Sequence, residues 1–580
     1  MGHIAIQDAE DLLSNSNNGE PSPGSSRNAA YPTASARDCI SRKRPPLINV
    51  FNLRQGDLSG VDRDTDGHIV LQPQPSNDPN EPLNWSIWQK SANFAIACLF
   101  TLMVFTTLDV GTVTWPSLSS ELGYGNAYLN NTYAAGLAGL AVGCIFFIPL
   151  ASMVGRKPVY MAAATVMVLV NVGQATFQTK TQYVVLQVLA GLAGSVNDTI
   201  IQMTIVDLFF VHQRATMNGI YSIMVVTGTY LSLIPTGYII NSQGWRWVWW
   251  WCAILNGVVL VLIIVGFEET RYARQDVSPV VGEDMPMRPY AEHTKGKEST
   301  PDRLIEPSPA SKTEATIATD LPPSPRRPYT QRVTWRGHAS DLSMQNYWKQ
   351  VWRPFLLLVR VPAVAFVAVE YSLMLCWIAV LATTQPILFA APPYNFSSIG
   401  VGNINIAPFA GAVLGSVFGG PLNDYYVVWL ARRRSGIYDP EMRLHMLLAP
   451  LIITPLGLFL YGISIAHGEA WIVPLIGSGC AGFGIGSTTS IILPYFGDSY
   501  PELVAEGLVG ITYIRNAIAT AAAFAVSPWL DGLGVQRMFI SVGCLCFGIL
   551  LLVVPMIMWG RAARQYTAEF YMEIVARKSH

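Results

Sequence analysis

The sequence predicts an all-α integral membrane protein, with twelve transmembrane helices arranged as two six-helix bundles. Three observations predict it. The 580-residue chain is 51% hydrophobic and only 13% charged, where a soluble domain carries about 25% charge. Six apolar runs lie on each side of a polar stretch, each near the ~20 residues that cross a bilayer. A tight break follows the second long run of each half. The first break, Phe147-Ile-Pro-Leu-Ala-Ser-Met-Val-Gly155-Arg156-Lys157-Pro158-Val-Tyr160, turns at Gly155 and Pro158, because Gly tolerates positive φ and Pro cannot continue a helix interior. Arg156 and Lys157 cannot remain in hydrocarbon and pin that turn to one aqueous face. The second break is Gly419-Gly420-Pro421-Leu422-Asn423-Asp424, followed by Arg432, Arg433 and Arg434.

Composition bounds the function. The net charge of −1 says nothing about partners. Seven of the eight cysteines (Cys98, Cys144, Cys252, Cys376, Cys480, Cys544 and Cys546) fall in apolar runs and read as small buried hydrophobes. Cys39 falls in a polar tail. No His/Cys cluster has metal-ligand spacing. The glycines around Gly482 lie inside an apolar run without the Lys of a phosphate loop. No nucleophile–base constellation stands out, so an enzyme is disfavoured, and no cofactor, metal or nucleic-acid partner is expected. The first apolar run starts near residue 91, so no signal peptide is visible.

In chain order, residues 1–88 read as a cytoplasmic disordered tail, rich in Ser, Asn, Pro and Gly. Trp85 and Trp88 close it as interfacial anchors. The first bundle takes residues 89–270, with spans near 91–113, 127–149, 158–178, 183–210, 215–240 and 247–267. Residues 271–352 read as a cytoplasmic disordered linker. The second bundle takes residues 353–560, with spans near 361–384, 398–421, 445–466, 470–493, 507–528 and 538–559. Residues 561–580 form a cytoplasmic tail.

Loop charge sets the orientation. One side holds Arg156, Lys157, Arg214, Arg271, Arg274, Arg432 to Arg434, Arg443, Arg561 and Arg564; the other holds little more than Lys180, Arg246 and Arg537. The positive side is cytoplasmic, which places both termini there, with the plasma membrane as the expected location. The sequons Asn130-Asn131-Thr132 and Asn395-Phe396-Ser397 fall in predicted outside loops, so Asn130 and Asn395 are expected to carry glycans.

Charges at membrane depth cost at least ~2.5 kcal/mol on insertion scales and usually face a partner or a watery cavity. Asp109 lies in the outer part of the first span. It binds a proton or a cationic substrate, or else it is solvated where the helix ends early. Asp198 lies near the middle of the fourth span with Asn197 beside it, and is favoured for a proton-coupled step over a packing hydrogen bond near Gly191 and Gly194. Glu370 in the seventh span and Arg515 in the eleventh, followed by Asn516, are expected to form a buried pair, functional or purely structural. Tyr133, Trp377 and Tyr513 are candidates for stacking on a flat or cationic ligand, against the commoner role of packing.

The two halves, the central polar stretch and the Gly155-Arg156-Lys157-Pro158 hairpin resemble the major facilitator superfamily. The closer resemblance is to the fungal twelve-span drug:proton antiporter family. It rests on Asp78 to Trp85, Pro149-Leu150 to Tyr160, Asp207-Leu-Phe-Phe-Val-His212-Gln-Arg214, Gly244-Trp245-Arg246-Trp247, Glu268-Glu269-Thr270-Arg271-Tyr272 and Pro440-Glu441-Met442-Arg443-Leu444. Three positions depart from the family pattern: Ser152 stands for an Asp, Gln187 for an Arg, and Ser232-Leu233 for a Gly-Pro. The resemblance implies that spans one, four, seven and ten line a central cavity, so that Asp109, Asp198 and Glu370 are pathway residues. It also implies that Gly155, Arg156, Lys157, Asp207, Arg214 and Asp424 belong to cytoplasmic gating loops.

The function expected is therefore a proton-coupled secondary transporter, a monomer in the lipid bilayer, exporting small amphipathic organic compounds by alternating access. The alternative keeps the fold and reverses the direction, as a proton symporter for a nutrient or polyamine. A non-transporting membrane sensor ranks last.

Overall fold

Each apolar run folds as a helix, since a segment surrounded by lipid or apolar partners satisfies its backbone N–H and C=O groups only within itself. The computed structural model describes residues 78, 80–271, 344–434, 439–500 and 503–578, among which there is no strand. The expected tail up to residue 77 and most of the expected linker, 272–343, lie outside the described residues.

The first six helices are α1 (Ile87–Val113), α2 (Asn126–Val154), α3 (Arg156–Thr176), α4 (Lys180–Leu208), α5 and α6 (Trp245–Gly266). α5 runs as Val211–Val226, a π-helical turn Thr227–Leu231, and Leu233–Gln243. Local signals set the boundaries. The Ser86 side chain accepts from Gln89 N at the start of α1, and Thr179 and Gln182 form a capping box at the start of α4. Between α2 and α3, Gly155 adopts φ 115°, a conformation that strains any residue with a Cβ.

The second half holds α7 (Pro362–Ala390), α8 (Ser398–Arg433, with a π-turn at Phe418–Leu422), α9 (Pro440–His467) and α10 (Ile472–Ser499). Eleven segments are long and apolar enough to cross a membrane, and the last of them, Glu506–Tyr566, is 61 residues long. At 1.5 Å per residue that is about 90 Å, some three times the hydrocarbon core. Gly534 breaks it, with φ 70° inside Val504–Leu550. The segment is therefore two crossings, α11 (504–533) and α12 (535–566), which makes twelve. With an even number, Ile87 and Tyr566 share one face. It also carries Arg156, Arg214, Arg443 and Arg564, and is called the basic face below.

Small residues let the helices close up. A Cβ on Gly191 of α4 would meet the Gly136 carbonyl of α2, and Gly139 faces the Val188 carbonyl. Six helices later, Gly411 of α8 faces the Gly479 carbonyl of α10, and Gly486 faces the Ala412 carbonyl. The same seam thus recurs at equivalent places in the two halves, where dispersion between backbones at short range drives association. Polar side chains add to it: the Thr107 hydroxyl of α1 accepts from Asn171 of α3 at 3.4 Å and Asn256 of α6 at 3.3 Å.

The halves meet along α2 with α11 and α5 with α8. At the face opposite the basic one, Asn130 Nδ2 donates to the Ala523 carbonyl at 2.9 Å, and Gly237 lies against the backbone of Ser398. This corrects the expectation of a glycan at Asn130. The residue is not in a loop but within the first turns of α2, fully buried against α11, with no space for a sugar. Asn395 is exposed in the connection between α7 and α8.

The expected linker gives way earlier than residue 352. An amphipathic helix, Met344–Arg360, precedes α7. It buries Leu357 and leaves Trp348, Trp352 and Val359 outward, at helical spacing along one stripe. Phe355 meets the Tyr513 ring of α11 at 5.0 Å. The expected C-terminal tail is likewise helical to Lys578, as Ala568–Lys578.

Candidate functional site

A cavity lies between the halves, lined from α1, α2, α5, α7, α8, α10 and α11. Its wall is mainly apolar, with Asp109, Tyr133, Tyr221, Thr229, Tyr371 and Arg515 as the chemically distinctive members. Apolar walls with a few convergent polar groups are the mixture that small organic ligands use.

Asp109 sits at the end of the cavity away from the basic face. It is 4% exposed, so of its two readings the solvated helix end is overturned. The Tyr133 hydroxyl donates to its Oδ1 at 3.0 Å, and the Thr229 hydroxyl is also within reach. The π-turn of α5 is what aims Thr229 there. Ser232 N reaches back five residues to Thr227 O at 3.2 Å, and Gly228 lets the turn press against the Leu102 carbonyl of α1. π-Turns recur where a helix has been re-aimed for function.

Arg515 closes the other end. It pairs with Asp198 of α4, not with Glu370, which corrects the expected Glu370–Arg515 pair. Arg515 Nη2 bonds Asp198 Oδ2, Nη1 donates to the Tyr371 hydroxyl at 2.8 Å, and Nε donates to Asn516 Oδ1 at 3.1 Å. Asn516 Nδ2 donates to the same Asp198 oxygen at 3.2 Å. The pair joins the two halves, and Asp198 is 3% exposed and Arg515 5%. The physical reason is facing: Arg515 looks across the interface into α4, whereas Glu370 looks away from the cavity. Glu370 is fully buried, and neither carboxylate oxygen has a hydrogen-bond partner among the described residues.

Asn197 does not reach the cavity. It accepts from Thr101 of α1 at 2.7 Å and ties α4 to α1. Of the three aromatic candidates, Tyr133 lines the cavity. Tyr513 packs on Phe355 instead, and Trp377 is buried on the far side of α7.

The basic face carries two ionic clusters. In the first half, Arg156 pairs with Asp207 at 3.0 Å, and Thr270 donates to the same carboxylate at 3.3 Å. Glu269 accepts from the backbone N–H groups of Arg156 at 2.9 Å and Lys157 at 3.0 Å. It thereby caps α3 where the dipole and orphan donors favour an anion. Lys157 Nζ donates to the carbonyls of Ile264 and Phe267 at the end of α6. Arg214 caps the end of α4 through the Val206 and Phe209 carbonyls. In the second half, Arg443 joins Asp424 at 2.5 Å and Asp498 at 2.7 Å, and Arg564 holds the buried Glu441 through two bonds. Burial of the Arg271 side chain lowers its pKa from the usual arginine range, beside Arg156 of like charge.

The family model of the Major Facilitator Superfamily matches residues 94–523. The chain belongs to that superfamily. The uncharacterized MFS-type transporter C1271.10c of Schizosaccharomyces pombe is 31% identical over 87% of this chain and 90% of its own length. The efflux pump radE of Floropilus chiversii is 25% identical over 81% of this chain and 80% of its own. Among solved structures, the xylose transporter XylE of E. coli, in a partially occluded inward-open conformation, aligns with a TM-score of 0.53. That match has 13% identity and covers 80% of this chain and 97% of that one.

The cavity is lined from α1, α7 and α10 as the resemblance implies, but none of the described residues of α4 lines it: Asp198 stands behind Arg515, which does. Sequence reasoning missed Tyr221, Thr229, Tyr371 and Glu269. Thr229 carries no signal without the π-turn. Tyr371 was one residue from a chosen Glu, on the other face of the helix. Glu269 stood in a recognised block, but its role depends on a contact with residues 156–157 that no spacing announces.

Proposed function

We propose that this chain is a proton-coupled secondary transporter that exports small amphipathic organic compounds by rocking its two halves about the central cavity. The basic face is assigned to the cytoplasm, with both termini on that side, and the protein to the plasma membrane. The observation that carries the reading is a cavity between the halves with a carboxylate at one end and an ion pair joining the halves at the other. Apolar and aromatic walls accept a greasy ligand. Asp109, held by Tyr133, gives a positive centre on that ligand somewhere to rest. Asp198 and Arg515 hold the halves together on the cytoplasmic side of the cavity and must separate when that side opens. Arg156–Asp207 and Arg443–Asp424 then serve as the matching cytoplasmic gate contacts. A relative named as an efflux pump supports the outward direction.

The second reading is uptake of a cationic nutrient or polyamine, which Asp109 favours equally, because a carboxylate attracts a cation from either side. One experiment separates them. The chain is expressed in a yeast lacking its own exporters, and accumulation of labelled organic cations and hydrophobic drugs is measured with and without an uncoupler. Export predicts lowered accumulation that the uncoupler abolishes. Raised, uncoupler-sensitive accumulation establishes uptake instead, and no change for any compound removes the transport reading.

A further inference from the structure

Helix α7 has two chemically different faces. Tyr371, Met374, Leu375 and Ile378 line the cavity. Glu370, Trp377 and Thr384 recur at steps of seven residues and so share another face, directed into the packing of the second half. All three are buried. Cys546 of α12 faces both Glu370 and Trp377, and the Tyr461 hydroxyl of α9 faces Thr384. Polar side chains therefore follow one seam of α7, from Glu370 near its basic-face end to Thr384 near the other, inside an otherwise apolar cluster of Leu373, Val380 and Phe389.

Glu370 is unlike the other buried carboxyls. Asp198 has Arg515, and Asp109 has Tyr133 and opens on the cavity. Glu370 has neither a counter-charge nor a donor: both its oxygens are without a hydrogen-bond partner among the described residues. The titratable and charged groups carried by the packed helices do not change that. α12 offers the Cys546 thiol. α11 offers Arg515, already held by Asp198 and Tyr371. α10 offers Tyr495, whose ring packs on Phe366 one turn earlier. A bare carboxylate in such surroundings is not tolerated, so the site accepts the neutral acid.

We propose that Glu370 is the proton-carrying group of this transporter, working from behind the cavity while Asp109 takes the substrate within it. The inference rests on the proton-coupled reading above. The coupling between the two sites is mechanical. Tyr371, next in sequence, is bonded to Arg515 on the cavity side. When the Asp198–Arg515 pair separates, the turn of α7 that carries Tyr371 is released, and Glu370 moves with it. The step is a simple acid–base exchange: the carboxylate takes one proton from one aqueous side, crosses the cycle as the acid, and gives it up on the other.

Two measurements test this. The full-length protein in liposomes is treated with dicyclohexylcarbodiimide, which adds to protonated carboxyls in apolar surroundings, and adducts are mapped by peptide mass spectrometry at mildly acidic and at alkaline pH. An adduct at Glu370 that declines in alkali, with none at Asp198, is expected. An adduct at Asp109 with none at Glu370 overturns the proposal. In the yeast assay, using 1-methyl-4-phenylpyridinium and the drug panel, Glu370→Gln is expected to lose uncoupler-sensitive transport while keeping exchange of label against unlabelled compound, and Glu370→Asp to restore the driven flux. Driven flux at the wild-type level in Glu370→Gln overturns it. If Glu370→Gln shows no exchange because it does not fold, the labelling result on the wild type decides. A wild type that moves none of the panel defeats the transport reading and leaves the labelling outcome to speak for Glu370 separately.

Discussion

Asp198 of α4 and Arg515 of α11 form a buried ion pair that bridges the two halves, reinforced by Tyr371 and Asn516. Neither residue is close to its partner in sequence, and both lie at membrane depth. Removing one partner leaves a buried charge uncompensated, which costs about 3–5 kcal/mol. Asp198→Asn is therefore expected to lower the melting temperature of the purified protein and to weaken transport. The double variant Asp198→Asn/Arg515→Gln is expected to regain most of the melting temperature without regaining transport. Thermal melts of the two singles and the double check this, and a double no more stable than the singles would show that the pair is not the unit that matters.

Glu269 caps α3 by accepting from Arg156 and Lys157. The hairpin has Ser152 three residues before its Gly, and Glu269, from the end of the first bundle, supplies a carboxylate to the helix start. Glu269→Ala is expected to cost roughly 1–2 kcal/mol, the range for losing a cap with its dipole interaction. Loss of melting temperature and a slower transport rate are the readouts, and Glu269→Gln is expected to recover only part of each.

The glycine seams make a sharper packing prediction. A Cβ at Gly191 meets the Gly136 carbonyl and one at Gly486 meets the Ala412 carbonyl, whereas Gly257 has nothing within 4 Å. Gly191→Ala and Gly486→Ala are each expected to destabilise by about 1–3 kcal/mol through overpacking. Gly257→Ala serves as the control and is expected to leave the melting temperature where it was. Detergent-solubilised size-exclusion profiles after heating distinguish the three.

Much of this molecule was legible before its helices were placed. The twelve apolar runs, the Gly155 turn and the clustered glycines follow from bilayer thickness, from the φ that Gly alone adopts freely, and from close helix approach. The in-span charges Asp109, Asp198, Glu370 and Arg515 declared themselves because hydrocarbon makes them costly. What could not be read was direction. Periodicity gives a residue's face on its own helix but not which neighbour that face meets. Spacing thus leaves Glu370 as a candidate partner for Arg515, which in the fold meets Asp198. Asn130 was counted as a loop residue because the start of α2 is polar. Thr229 was invisible because a π-turn shifts the helical phase by one residue.

The two sequons give a chemical check on that correction. Asn395 is exposed and Asn130 is fully buried against Ala523. A glycosidase-sensitive mass shift is expected for the protein from a eukaryotic host. It is expected to disappear in Asn395→Gln and to persist in Asn130→Gln. Persistence in Asn395→Gln would place that loop away from the lumenal and extracellular side.

Alternation of access about the cavity is tested most directly by distances on the two faces. Spin labels at Thr216 and Arg433 report the basic face, and labels at Tyr238 and Asn395 the opposite face, each pair joining one half to the other at exposed positions. Double electron–electron resonance on the reconstituted protein, as pH is changed and a transported compound is added, should show one distance lengthening as the other shortens. Two distances that stay fixed, or that lengthen together, would contradict a transporter built on rocking halves.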